Sequence, residues 1–250
     1  MIDLHCHYLP GVDDGAQDLA SALALIRAAT ANGISASVLT PHLYPGRWDN
    51  TLSRVADKFR EFKRAVADAG LTMQLYLGAE VHLLPESLAL LASDELLYLG
   101  GVNGKKVLLL EMPDGQIPVG ALSAVKFLVA RGVVPMIAHP ERNRDVIRNP
   151  RKIEPFLQEG CMLQLTAASV CGLFGASANQ TATKLLDAGW VTVVATDAHN
   201  LAHRPPILAE ARAELARRYG SEAAMQLTLG NPAAIIDGRA QFEEVAAPGQ

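Results

Sequence analysis

The first residues of the chain carry two histidines and two aspartates at short spacing. His5 and His7 follow an apolar start, and the pair Asp13 and Asp14 comes shortly after them. Residues two apart on a strand project from the same face, so both imidazoles are expected to point the same way. Imidazole and carboxylate groups together bind divalent metals. The spacing indicates one corner of a metal site, although an isolated His-x-His can also be a surface feature.

The same residue types recur where later apolar runs end. They are His42, Glu80 and His82, Glu111, His139, and Asp197 with His199, whereas the sixth run carries no evident ligand. A parallel barrel gathers the C-terminal ends of its strands on one face, so these side chains are predicted to converge there. Together with His5, His7 and one of the two aspartates, these residues are more ligands than a single ion can bind, since zinc takes about four ligands and octahedral ions about six. The count indicates two or three divalent ions with a bridging carboxylate.

The elements that must position these residues alternate along the chain. Strands are predicted at the N-terminus and at 34–40, 71–83, 106–112, 133–138, 161–166 and 191–196, and helices at 18–31, 51–69, 120–131, 150–159, 178–188 and 206–218. Strands alternating with helices indicate βα units and a parallel sheet. We therefore expect one α/β domain over residues 1–250, built as a TIM-like barrel of about seven strands. The end reads as a short cap after Gly230 and a loose tail at about 240–250.

Composition narrows the range of partners. The chain has 250 residues, half of them apolar, and a net charge of −4, so a basic face for nucleic acid is not expected. Apolar runs of membrane-spanning length and a signal peptide are also absent from the sequence. Three cysteines without C-x-x-C spacing fit a reducing compartment. These features predict a cytoplasmic protein that does not insert into membranes, and they leave its oligomeric state open.

The cysteines do not form a C-x5-R nucleophile motif. This motif places an arginine six residues after its cysteine, but the residues at that distance from Cys6, Cys161 and Cys171 are Val12, Ala167 and Ser177. The chemistry of the site would therefore depend on the metals.

Several motifs together resemble a known superfamily. IDLHCH with VDDG, TPH, GAEVHL, LLLEMP, IAHPERNR, and ATDAHN followed by HRPP resemble the PHP superfamily. HPERNR, TDAHNLAHRPP and LTAASVCGLFG are more narrowly similar to the bacterial protein-tyrosine phosphatases of capsule and exopolysaccharide clusters. The resemblance implies a distorted (β/α)7 barrel, the PHP fold, and hydrolysis of phosphotyrosine. It also implies a protein partner, the C-terminal tail of a bacterial tyrosine kinase.

The resemblance further implies a set of site residues. His5, His7, Glu80 and Asp197 would hold one ion, Glu80 with Glu111 and His139 a second, and Asp14, His42 and His199 a third. Two to three ions are expected, with Mn²⁺ preferred over Fe, Co or Zn. A metal-bound hydroxide would attack phosphorus. The candidate catalytic residues are Arg142, Arg204, His42 and His199, with the arginines contacting phosphate through their planar guanidinium groups.

Some roles stay open at this stage. His82, Arg47, Arg144 and His203 lie near ligand motifs without a definite part, and no general acid is identified. The aromatic residues Tyr44 and Trp48 either line the path of a substrate ring or pack within their loop. Two other functions remain: a small-molecule phosphomonoesterase of the histidinol-phosphate type, and a non-catalytic regulator that binds a kinase tail.

Overall fold

The computed structural model describes residues 1–239, so the expected tail at 240–250 lies outside the described residues. Its strands are β1 (Ile2–Cys6), β2 (Ala36–Leu39), β3 (His42–Tyr44), β4 (Trp48–Asp49), β5 (Gln74–Leu77), β6 (Glu80–His82), β7 (Gly100–Val102), β8 (Lys105–Glu111), β9 (Val133–Ala138), β10 (Met162–Thr166) and β11 (Val193–Ala195). Its α-helices are α1 (Leu19–Ala31), α2 (Leu52–Asp68), α3 (Pro85–Ala89), α4 (Ala121–Val129), α5 (Arg144–Arg148), α6 (Glu154–Gln158), α7 (Ala167–Val170), α8 (Ala176–Asp187), α9 (Leu208–Tyr219), α10 (Ser221–Met225) and α11 (Asn231–Asp237). Short 3-10 helices cover Leu90–Ser93, Pro140–Arg142 and Pro150–Ile153, and a π-helical turn covers Gln226–Gly230.

The parallel strands follow one another around a distorted TIM-like barrel, which confirms the predicted fold class. One sheet has the order β1-β2-β5, and the other runs β11-β10-β9-β8-β6-β3-β4. The segment after β11 returns to β1, because the Asp197 amide donates to the His5 carbonyl at 2.7 Å and the His7 amide donates to the Ala198 carbonyl at 2.9 Å. These bonds bring the first and last barrel strands together at the end where their histidines lie.

Two of the predicted strands are interrupted near their C-terminal ends. The run 34–40 continues past Thr40 and Pro41 into β3, and the run 71–83 is split into β5 and β6. Proline has no amide to donate to the ladder, so pairing breaks at Pro41. Beyond the breaks β3 pairs with β6 and places His42 beside Glu80. The interruptions therefore help to aim the ligand candidates at a common point.

Alternation along β8 shows where the core lies. Val107 and Leu109 pack inside the barrel with residues of the neighbouring strands, whereas Leu108 and Leu110 pack outside in the main core. Ile235 and Ile236 of α11 join the inner cluster. Successive side chains on a strand point to opposite faces, so Glu111 shares the inward parity of Val107 and Leu109.

Several elements differ from the sequence predictions. The segment 42–50 forms an antiparallel β3–β4 hairpin instead of a loop. The helix expected over 150–159 divides into a 3-10 turn and α6, since Pro155 at the start of α6 has no amide to bond back to the preceding turn. β7 is a further antiparallel strand paired with β8, and α3, α5, α7, α10 and α11 were not predicted individually. Across residues 1–239, the longest apolar helices fall short of what crossing a membrane requires.

Candidate metal centre

The predicted ligand residues converge at the C-terminal ends of the barrel strands. One group, here called the inner group, consists of His5, His7, Glu80 and Asp197, all buried. The Nε2 atom of His5 lies 3.2 Å from each of Glu80 Oε2, Asp197 Oδ1 and His7 Nε2. His7 Nε2 lies 3.4 Å from Glu80 Oε2 and 3.5 Å from Asp197 Oδ1. Ligand atoms about 2.0–2.2 Å from one ion lie about 3.0–3.5 Å from each other, so this spacing fits a divalent cation.

A second group, the outer group, lies nearer the surface. Asp14 Oδ1 is 3.4 Å from both His42 Nε2 and His199 Nε2, and His7 completes the group. The Asp14 side chain is 49% exposed, whereas that of His199 is 2% exposed. This group is therefore open to solvent on the aspartate side.

A third set of donors surrounds Glu80. His139 Nε2 lies 2.8 Å from Glu80 Oε1 and 4.0 Å from Glu111 Oε1. His42 Nδ1 lies 3.0 Å from Glu80 Oε2 and 3.7 Å from Glu111 Oε2. The His42 ring thus faces Asp14 with one nitrogen and Glu80 with the other. It therefore lies between two sets of ligands that the resemblance assigned to different ions.

Three histidines of these groups are oriented by a partner at Nδ1. The Nδ1–H of His7 donates to Asp13 Oδ2 at 2.8 Å, and that of His5 donates to Gln164 Oε1 at 2.9 Å. The Nδ1–H of His199 donates to the Asp197 carbonyl at 3.0 Å. Each bond directs Nε2 at the centre, where it offers a lone pair once the ring is neutral, and this arrangement supports metal-binding imidazoles.

The two adjacent aspartates therefore have different positions. Asp13 is buried behind His7 and also accepts from the Gly15 amide at 2.9 Å, whereas Asp14 faces the open outer group. Gly15 has to approach His7 closely, because a Cβ at this position would collide with the carbonyl and the Cβ of His7. The VDDG turn thus places one carboxylate behind a ligand and the other among the ligands.

Unpartnered buried atoms point to a cation at the centre. Glu80 Oε2, Asp197 Oδ1 and His199 Nε2 are inaccessible and have no hydrogen-bond partner. Buried polar atoms are nearly always satisfied, so an unpaired cluster of acceptors requires an explanation. All three face the groups described above, and a cation coordinated there would satisfy them. The donor set therefore fits divalent metal ions.

Charge coupling shifts the pKa values of the histidines in opposite directions. Burial disfavours protonation of His7, but the carboxylates of Asp13, Asp197 and Glu80 together outweigh burial and hold the pKa of His7 well above its usual range. Burial likewise opposes protonation of His42, yet Glu80 and Asp14 together outweigh it and raise the pKa to about 10. Burial together with repulsion from His7 lowers the pKa of His199 to about 4. Since only a neutral ring binds metal, His199 is ready to coordinate, whereas His7 and His42 must release a proton.

The backbone is strained at two of the ligand positions. His139 and Asp197 adopt left-handed conformations, with φ of 32° and 53°. Such conformations are costly for residues other than glycine and are found mainly where function requires a particular geometry. His139 directly follows β9 and Asp197 follows β11 after one residue, so the left-handed turn aims their side chains back into the centre.

Aromatic rings of the β3–β4 hairpin pack against the cluster. Trp48 stacks on His42 with centroids 4.9 Å apart, and Tyr44 stacks on His82 at 4.2 Å. The Nδ1 atom of His82 lies 3.0 Å from Glu111 Oε2. His82 therefore contacts a candidate ligand and lies at the edge of the centre.

Both candidate phosphate-binding arginines meet at Asp197. Arg142 Nη1 donates to Asp197 Oδ2 at 2.7 Å, and Arg204 donates to the same oxygen through Nη2. Asp197 thereby presents Oδ1 to the inner group and Oδ2 to two guanidinium groups. Attraction by Asp197, working against burial, raises the pKa of Arg142, which keeps its charge in the half-buried site.

The remaining open residues lie farther out. The Arg47 guanidinium lies 3.9 Å from the centre of the Trp48 ring. Arg144 begins α5 and is exposed, and His203 is exposed in a turn where its amide donates to Asn200 Oδ1 at 2.7 Å. The structure thus places none of the three among the converging ligand atoms.

Sequence reasoning missed Gln164, the partner of His5. The sixth strand lacked a residue recognisable as a ligand, and Gln164 lies within the strand, before its end. A single amide in the apolar run MLQLT was the available signal, because a buried polar side chain needs a partner.

The chain is similar to known proteins over nearly all of its length. A family model described as capsular polysaccharide synthesis, CpsB/CapC, matches residues 1–237. The tyrosine-protein phosphatase YwqE of Bacillus subtilis is 34% identical over 228 residues, covering 91% of this chain and 89% of the relative. The tyrosine-protein phosphatase CpsB of Streptococcus pneumoniae is 27% identical, covering 94% of this chain and 98% of the relative.

Solved structures agree with this similarity. A structure from the work on YwqE of Bacillus subtilis and CpsB of Streptococcus pneumoniae, described as unique metal-dependent tyrosine phosphatases, superposes with a TM-score of 0.89 at 32% identity and covers 96% of this chain and 95% of its own. An organophosphorus hydrolase from Deinococcus radiodurans has a TM-score of 0.56 at 17% identity, with coverage of 94% and 92%. The latter likeness concerns the fold alone.

Proposed function

Because the chain belongs to the CpsB/CapC family, we propose that it is a metal-dependent tyrosine-protein phosphatase of capsular polysaccharide synthesis. Its relatives YwqE and CpsB are named tyrosine-protein phosphatases. The observation that carries the proposal is the inner group, whose four donor atoms are spaced as ligands of one ion and include two buried oxygens without a partner. A degenerate relative would be expected to have lost part of this set.

The proposed metal ligands follow the groups of converging atoms. We assign His5, His7, Glu80 and Asp197 to one ion, Glu80, Glu111 and His139 to a second, and Asp14, His42 and His199 to a third. The facing distances within these sets support this assignment. Glu80 would be shared between two ions, because its two oxygens face different histidines. Nitrogen and oxygen donors without thiolate suit Mn²⁺, with Fe, Co or Zn as alternatives.

The residues of the chain supply binding and orientation for the reaction. When bound, divalent ions lower the pKa of water to near neutral and withdraw charge from phosphoryl oxygens. Arg142 and Arg204, held in place by Asp197, are positioned to bind the remaining phosphate oxygens through their other N–H groups. His42 and His199 fix the outer side of the site around Asp14. The phenol of tyrosine has a pKa near 10, so it leaves more readily than an alkoxide and depends less on a general acid.

The open side of the centre suits a protein substrate. The side chains of Asp14 and Glu111 are 49% and 18% exposed, and both face the His42 ring. A phosphotyrosine can enter there while it remains attached to its chain. The proposed substrate is the C-terminal tail of a bacterial tyrosine kinase in the cytoplasm, and residues 1–250 are proposed to act as one domain.

The test combines metal analysis with turnover. Purified protein should contain divalent metal and hydrolyse a phosphotyrosyl peptide, and a chelator should abolish both until Mn²⁺ is restored. Faster turnover of small alkyl phosphates than of the peptide would instead support a small-molecule phosphomonoesterase. Peptide binding without hydrolysis in the metal-loaded protein would support a regulator.

A further inference from the structure

The aromatic residues of the β3–β4 hairpin are already engaged by protein groups. Trp48 has its ring against His42, with the Arg47 guanidinium 3.9 Å from its centre. Tyr44 lies parallel to His82, with an angle of 3° between the rings. These contacts make the hairpin a support for the histidines. A substrate ring that enters the site therefore needs a different apolar surface.

Such a surface lies on the other side of the arginines. A pocket of about 380 Å³ is lined by Arg142, Ile147, Phe174, Ser177, Ala178 and Arg204. Small-molecule pockets begin at about 300 Å³, so the space accommodates a phenol ring. Its two arginines are the ones bound to Asp197, and its other walls come mainly from Ile147, Phe174 and Ala178. The pocket thus adjoins the proposed phosphate position and is apolar where the arginines end.

Phe174 is presented by a well-ordered turn between α7 and α8. Gly172 and Gly175 on either side adopt φ of 79° and 88°, which glycine tolerates and other residues rarely do. The Leu173 amide donates to the Ala168 carbonyl at 2.8 Å, and the Asn179 side chain donates to two carbonyls at the end of α7 at 2.9 Å each. The half-buried Phe174 ring has its centre 5.5 Å from the Arg142 guanidinium. Hydrogen bonds therefore hold the turn that carries the ring, and the ring lies beside Arg142.

We propose that this pocket receives the phenol ring of the substrate phosphotyrosine, with Phe174 and Ile147 as its apolar walls. The inference rests on the proposed function and assigns the residues that select an aryl phosphate. A phosphate held between the metals and the two arginines has its ester oxygen beside the pocket, so the attached ring enters it. A phosphoserine has no ring to place there and gains nothing from these walls.

The ratio of phosphotyrosine to phosphoserine hydrolysis tests the proposal. The same peptide is prepared with phosphotyrosine or phosphoserine at one position, and p-nitrophenyl phosphate serves as a small aryl substrate. Phe174→Ala should lower kcat/KM roughly ten-fold for both aryl substrates and leave the phosphoserine rate unchanged, as the loss of one aromatic contact implies. Ile147→Ala should act in the same direction, and Phe174→Leu should recover part of the loss. Metal content measured in every variant shows whether the centre remains intact.

Leu173→Ala is the matched control, because this neighbour is 66% exposed and does not line the pocket. It should leave all three rates unchanged. An equal loss for phosphotyrosine and phosphoserine in Phe174→Ala would overturn the assignment, and so would a loss confined to the peptide, which would place a flanking residue in the pocket. If the unmodified, metal-loaded protein hydrolyses no phosphotyrosine, the proposed function fails first. If it does hydrolyse phosphotyrosine but Phe174→Ala leaves the ratio of phosphotyrosine to phosphoserine turnover unchanged, only the assignment of the ring pocket is wrong.

Discussion

The inner and outer groups of the metal centre differ in burial and in how firmly their ligands are held. In the inner group all four residues are buried, and His5 and His7 each have a buried Nδ1 partner in Gln164 and Asp13. In the outer group Asp14 is half exposed, and His42 faces two groups at once. Bonds that fix a ligand before the metal arrives raise its affinity. The comparison implies a tightly bound inner ion and an exchangeable outer one on the side where the substrate enters.

The largest expected effect is that of Asp197→Asn. The change removes a buried charge that faces two inner histidines on one side and two arginines on the other. Breaking such a buried pair costs about 3–5 kcal/mol. Where this loss falls on the bound ion and the transition state, it corresponds to roughly a hundred- to several-thousand-fold in rate. Turnover of phosphotyrosyl peptide and metal content should fall together. Retention of both within about ten-fold would show that the inner group is not the tight site.

The pH dependence of metal binding should report the protons held on His7 of the inner group and His42 of the outer group. Metal must displace the proton that Glu80 holds on His42, whose pKa is raised to about 10, so each proton released makes apparent affinity rise by roughly ten-fold per pH unit below that value. Calorimetric titration with Mn²⁺ between pH 6 and about 8 should show stronger binding at higher pH for the inner ion as well as the outer one, because His7 also has to release a proton. A pH-independent affinity would mean that the His42 ring is already neutral.

The raised pKa of His42 affects the stability of the metal-free protein in the opposite direction, because it favours low pH where metal binding favours high pH. Because the pKa of His42 in the folded protein is raised above the usual histidine value of 6.5, protonated His42 stabilises the fold fully below pH 6.5, and this contribution is lost as pH rises through about 10. The free energy of unfolding, measured by denaturation in the presence of a chelator, should therefore include the contribution of protonated His42 at low pH, where metal binds least. His42→Gln should remove the pH dependence of this part of the stability.

Asp14→Asn tests the outer group alone. The loss of one carboxylate ligand at a half-exposed position should lower activity by roughly ten- to a hundred-fold at limiting metal, and excess Mn²⁺ should restore most of it. The inner ion should remain in the purified variant. If metal analysis shows that all ions are lost together, the groups form one cooperative unit.

The physical construction of the metal centre explains which of its residues the sequence could predict. Strand-end positions made His139, Asp197 and the other candidates visible, because a parallel barrel must bring them together. Asp13 and Asp14 could not be told apart, since their roles depend on a turn that presses Gly15 against His7. The shared position of His42 depends on a strand interruption at Pro41, which spacing alone does not reveal.

Gln164→Ala is expected to have a smaller effect within the inner group. The amide orients His5 without reaching the ion, so its loss should weaken metal binding by roughly ten-fold while turnover at saturating metal stays near normal. Gln164→Glu keeps an acceptor for His5 Nδ1 and is the matched variant. Competition with a chelator measures the affinity directly. An unchanged affinity in Gln164→Ala would show that packing alone orients His5.

The smallest expected effect is that of Cys6→Ala, at a residue between two inner ligands. Cys6 is buried in the main core outside the barrel, where its thiol donates to the Val38 carbonyl at 3.4 Å. Burial raises the pKa of this thiol well above the usual range, so it stays neutral. A β-bulge in β1, marked by a register shift between Asp3 and Cys6, accompanies this separation of the thiol from the histidines. We expect unchanged metal content and turnover, with a loss of roughly 1 kcal/mol in the free energy of unfolding from the missing packing and weak hydrogen bond. A large loss of turnover with full metal content would contradict a metal-only mechanism. A loss of metal would mean that the inner group depends on the packing behind it as well as on the atoms that face it.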